Sequence, residues 1–86
     1  TYRARADDFY IGVDCEEPTT VYLPTNPVEG KIIIVKAEMN PPIGNRKITI
    51  SCFDNTKIDG YNEHVIHVSN DSLTVLYSRN EWHIIK

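Results

Sequence analysis

Two cysteines, three histidines and twelve carboxylates are the residues of this 86-residue chain that could do chemistry. Their spacing argues against it. His64 and His67 stand three apart in a β-type run, so their side chains leave opposite faces of a strand and do not converge on one metal. His83 is remote from both, and no cysteine or carboxylate completes a ligand set; the one metal arrangement left open is a histidine from each subunit meeting on a three-fold axis. Cys15 or Cys52 as a nucleophile would need a positioned base and an oxyanion pocket, and neither has a recognisable setting. No Gly-x-Ser-x-Gly turn and no phosphate-cradling glycine loop is present. Carboxylates are plentiful, but glycosidase chemistry needs two of them flanking a cleft. The expectation is a protein that is not an enzyme, with no catalytic residue, metal or cofactor.

Binding is the remaining chemistry. Five tyrosines and Trp82 offer ring faces that suit the apolar faces of sugars. Tyr22 is out of phase with Val21 and Leu23, and Tyr61 follows a turn glycine, so these two are the candidate receptor or glycan contacts. Trp82 opens an apolar run and reads as core. Asn70-Asp71-Ser72 has the form of a glycosylation acceptor, though a tight turn explains the same residues.

The elements that must carry these side chains are strands. Five prolines and four glycines interrupt any window long enough for a helix. Phe9 to Val13 alternates with Phe9, Ile11 and Val13 on one face. Thr19 to Leu23 repeats the pattern and Pro24 stops it. Lys31 to Lys36, Arg46 to Phe53, a short run around Ile58, His64 to Val68, Ser72 to Tyr77 and Trp82 to Ile85 follow, with a loop at Pro41-Pro42. Turn signals every 8–12 residues or so predict a small antiparallel β-sandwich of about eight short strands. Asn70-Asp71 and Arg79-Asn80 sit in hairpin-like connections, where Asn and Asp tolerate left-handed backbone.

Ile32-Ile33-Ile34-Val35 breaks the alternation, since it offers apolar side chains to both faces. If Ile33 and Val35 continue the core, Ile32 and Ile34 face outward. Each would contribute roughly 1.5–3 kcal/mol if fully buried, so Ile32 and Ile34 are the candidate subunit interface. A loop of the same chain covering that face is the alternative.

Size and charge set bounds. A domain this small buries only about 60–65% of its unfolded surface, which favours support from partner subunits. Nine basic residues against twelve acidic give a net charge of −3, and the basic ones are scattered, so nucleic acid is an unexpected partner. The longest apolar run, Ile32 to Val35, is far short of the roughly 18–20 residues of a membrane span. Two cysteines permit one disulfide, but bridge-dependent small domains carry more, so free thiols are expected. The opening at Thr1 rather than Met fits a domain of a longer protein, with residues 1–6 as the end of a linker or shaft and residues 7–86 as one domain.

The order of signals also resembles a known group. Asp8-Phe9-Tyr10-Ile11, Thr20-Val21-Tyr22-Leu23-Pro24, Gly30-Lys31 with Ile33-Ile34-Val35-Lys36, Lys47-Ile48-Thr49-Ile50, Lys57-Ile58-Asp59-Gly60, Ser72-Leu73-Thr74-Val75-Leu76-Tyr77 and Asn80-Glu81-Trp82-His83-Ile84-Ile85 come in sequence. Together they resemble the β-sandwich head domain of trimeric virus and bacteriophage fibres, tail fibres and tailspikes. The resemblance implies a homotrimer at the distal end of a virion surface appendage, acting in trimer registration and in attachment to a host-cell receptor, often a glycan. The family's receptor sites lie in variable loops, so no binding residue carries over, and Cys15, Cys52 and the Pro41-Pro42-Ile43-Gly44 loop depart from its pattern. Two other readings are a monomeric carbohydrate-binding module of a secreted protein and a purely structural virion connector.

Overall fold

Alternating inward apolar and outward residues, many of them β-branched, define the longer strands, and proline or left-handed turns stop several of them. The computed structural model describes residues 1–40 and 44–86, so most of the Pro41-Pro42-Ile43-Gly44 loop lies outside the described residues. Eight strands follow in order: β1 (Tyr2–Arg3), β2 (Tyr10–Val13), β3 (Thr19–Leu23), β4 (Ile32–Ala37), β5 (Ile48–Cys52), β6 (Glu63–Ile66), β7 (Ser72–Ser78) and β8 (Glu81–Ile84). Among the described residues there is no helix. Two four-stranded sheets form, one ordered β1-β3-β5-β6 and the other β2-β4-β7-β8.

The all-β, two-sheet expectation is met, but the antiparallel expectation needs correction. β1 with β3, β2 with β4 and β3 with β5 pair in parallel; only β4–β7, β5–β6 and β7–β8 are antiparallel. The reason is the path. From β1 to β5 the chain alternates between the sheets, so each return to a sheet comes after an excursion through the other and in the same direction, as a parallel pair requires. The first five strands make a flattened coil, closed at one end by the β6, β7 and β8 returns.

The core lies between the sheets. Val21, Leu23, Ile48, Ile50 and Ile66 from the first sheet meet Ile11, Ile33, Val35, Ala37, Leu73, Val75 and Trp82 from the second, joined by Ile58 and Met39 from loops. Ile33, Val35, Ile48, Ile50, Val75 and Trp82 have no exposed surface. No polar or charged residue is buried among the described residues, so nothing in the core carries an unmet desolvation cost. Phe9 departs from its expected inward position: the strand starts one residue later, and Phe9 is 58% exposed beside buried Ile11.

Turns set the registers. Asp59 and Gly60 both have positive φ (50° and 83°), and Ile58 and Tyr61 exchange backbone hydrogen bonds of 2.8 and 2.9 Å across them. Positive φ at both central residues is the turn whose twist matches paired strands, and Asp-Gly is a favoured sequence for it. Arg79 and Asn80 (55° and 66°) make the same kind of turn between β7 and β8.

Residues 1–6 hold β1 at the edge of the first sheet. The Ala4 amide donates to the Tyr22 carbonyl (2.8 Å). The Asp8 carboxylate accepts from the Tyr2 hydroxyl (2.6 Å) and the Arg5 amide (2.8 Å), which ties this segment back on itself.

Candidate functional site

The outer face of the second sheet is built by strand alternation. In β4, Ile33, Val35 and Ala37 are buried while Ile32, Ile34 and Lys36 point away from the core and are half-buried. Register places Ile32 opposite Leu76, and Leu76 opposite His83; Tyr10, Ile34 and Thr74 form the next row. The two isoleucines thus stand on the expected face, in a patch that Leu76 and Tyr10 extend. Leu76 is a member of this patch that sequence reading passed over, although it is in phase with Thr74 and out of phase with Val75.

The patch has a polar rim. His83 Nε2 lies 3.0 Å from the Ser78 carbonyl, a contact that places a hydrogen on that nitrogen. Its Nδ1 is 3.7 Å from the Asp59 carboxylate. On the opposite side Tyr10 donates its hydroxyl to Glu38, and that bond raises the tyrosine's pKa above its ordinary value, ahead of burial and of the carboxylate's charge.

The outer face of the first sheet carries the other arrangement of interest. Tyr22 is half-buried, and its ring meets Phe53 edge-on with centroids 5.0 Å apart and planes at 85°. The Arg3 guanidinium sits 4.1 Å from the Phe53 ring centroid, within the range where a ring face attracts a cation. Phe53 stays 57% exposed. β1, β3 and the residue after β5 therefore converge on one aromatic-cationic cluster, centred on a residue that sequence reading did not single out. The available signal was phase: Phe53 follows Thr49 and Ser51 on the face opposite Ile48 and Ile50.

Tyr61 is 72% exposed in its hairpin turn. No ring contact joins it to Tyr22 among the described residues, so the two candidate tyrosines do not form one stacked platform. Trp82 is core, fully buried and 5.4 Å from Tyr77 between ring centroids.

Cys15 and Cys52 are free thiols. Burial, and secondarily the charge of Asp54, pushes the Cys52 thiol up from 9.0 to about 11, which suppresses its thiolate at neutral pH. Among the described residues no three His, Cys, Asp or Glu side chains gather to hold a metal ion. Among the described residues no helix is long and apolar enough to cross a membrane. No family model matches the sequence, and no curated protein matches it.

Proposed function

We propose that this chain is the head domain of a trimeric viral or phage fibre, a non-catalytic module that holds three copies in register and attaches the appendage to a host-cell receptor of glycan type. The observation that supports the reading is the split in β4: Ile33 and Val35 are wholly buried while Ile32 and Ile34 stand on the opposite face beside Leu76. An apolar row on the solvent side of a sheet costs solubility and invites association, and burying it between subunits recovers the hydrophobic contribution a small core lacks. Attachment rests on the exposed rings of Phe53, Tyr61 and the partly exposed Tyr22.

The test is mass in solution. Light scattering on the purified chain should give about three times the 9.9 kDa of one copy, and the double variant Ile32→Lys, Ile34→Lys should give one, with its circular dichroism unchanged. A wild-type monomer at micromolar concentration would overturn the trimer. The exposed Arg3–Phe53–Tyr22 cluster favours a second reading, a monomeric carbohydrate-binding module; a single-chain mass together with sugar affinity lost on Phe53→Ala would select it.

A further inference from the structure

A concavity of about 450 Å³ opens along one side of the sandwich between the edge strands β1 and β2. Buried Ile11 and Val21 line it together with Thr1, Tyr2, Val13 and Asp14. Both walls are sheet edges. β1 covers β3 only at Val21 and Tyr22. On β2, the Phe9 and Val13 carbonyls accept from the Ile34 and Glu38 amides (2.8 and 2.9 Å). Those bonds commit the odd-numbered residues to β4 and turn the N–H and C=O of Tyr10 and Gly12 outward.

We propose that this cleft receives an extended, cationic segment of a partner protein, which adds as a further strand alongside β2. The outward backbone groups of Tyr10 and Gly12 supply the ladder, as in other strand-addition complexes. Side chains of an added strand alternate between two surroundings. Inward ones drop onto Ile11, Val13 and Val21, which selects apolar residues. Outward ones come beside Asp14 and the Glu38 carboxylate, which lies over Gly12 so closely that a Cβ there would be 2.5 Å from it. That selects Lys or Arg.

Charge identifies the occupant. From Ala6 to Gly30 the sequence has six carboxylates and no Lys or Arg. Asp14, Glu16 and Glu17 are exposed and make no hydrogen bond or ion pair among the described residues. Lys36, in register with Gly12 on the neighbouring strand, offsets one of these charges. A second copy of this edge would set the same carboxylates against themselves, so like-charge repulsion disfavours self-pairing. The edge adjoins the outer face of the second sheet, and Tyr10 and Glu38 belong both to it and to the rim of the patch proposed for the trimer.

The experiment is an NMR titration of the isotopically labelled chain with a peptide alternating Val and Lys, followed by amide exchange. Peptide binding should shift the Tyr10 and Gly12 amides and slow their exchange. N-methylation of every second peptide amide, which removes the ladder donors, should abolish binding. The variant Asp14→Asn, Glu16→Gln, Glu17→Gln should weaken it about tenfold, in keeping with the modest worth of exposed charge pairs. Equal binding of the N-methylated peptide would reduce the effect to charge attraction and overturn the proposal. So would shifts confined to other strands, the absence of any response at millimolar peptide, or Tyr10 and Gly12 amides already protected by self-association.

Discussion

Ile58 lies beside Trp82 in a parallel bridge: the Trp82 amide donates to the Lys57 carbonyl (2.9 Å) and the Asp59 amide to the Trp82 carbonyl (2.9 Å). The Ile-Asp-Gly turn and the start of β8 are thus one structure, with both apolar side chains buried to 1% exposure or less. Trp82→Ala should destabilise the domain by about 3–5 kcal/mol and Ile58→Ala by about 2–5 kcal/mol. Because the two sites adjoin, the double variant should lose less or more than the sum by at least about 0.5 kcal/mol. Urea unfolding of the single and double variants measures this.

Arg79 occupies left-handed backbone at φ 55°, where residues other than Gly, Asn and Asp are strained. Its amide donates to the Glu29 carboxylate (3.3 Å), a bond any residue but proline keeps. Arg79→Asn should therefore raise stability by about 0.5–1 kcal/mol, part of what left-handed backbone costs an ordinary residue, and Gly60→Val, at φ 83° with open space around it, should lower it by about 1–2 kcal/mol. Thermal melts of the two variants should shift in opposite directions.

The raised Cys52 thiol makes stability fall in alkali. In the unfolded chain the thiol ionises near its ordinary 9.0, in the folded chain near 11. Its contribution is complete below pH 9 and is lost as pH rises through 11, because the unfolded state releases the proton first. The difference in unfolding free energy between wild type and Cys52→Ser should stay flat below pH 9 and shrink above it. At pH 8 Cys52 should react with a thiol reagent more slowly in the native state than in urea.

Asp8 works in the opposite sense. The Arg5 amide first, and then the Tyr2 hydroxyl, hold its carboxyl below the ordinary 3.8. The contribution is present above pH 3.8 and disappears as pH falls through the lower folded value. Asp8→Asn should remove this acid-sensitive part and quicken amide exchange at Ala4, whose bond to Tyr22 pins β1.

The sequence carried the strands and their inward faces well, because alternation is a local property. Thr19–Leu23 has the bounds its Thr-Thr-Val-Tyr-Leu pattern and Pro24 imply, and Ile33 and Val35 are buried as their phase requires. Asn70 and Asn80 take the left-handed conformations expected of them. Strand direction was not legible, since a period of two is the same for parallel and antiparallel partners. β1 escaped because two residues, Tyr2 and Arg3, show no periodicity. The aromatic cluster escaped because Arg3 and Phe53 come together only through β1–β3 and β3–β5 pairing, which is tertiary information.

The alternation of β1 to β5 between sheets bears on how the domain is made. Tyr2 pairs with Val21, Tyr10 with Ile34 and Thr19 with Ile48, so no early ladder can form before a long segment has left the ribosome. β7 lies between β4 and β8, and leaves the second sheet unfinished until residues 72–84 emerge. Such non-local pairing folds slowly, whereas the β7–β8 hairpin forms fast from neighbouring residues. Ile32 to Val35 therefore lack their ladder partner from their own synthesis until residues 72–78 emerge, and the nascent chain should depend on chaperones over that interval.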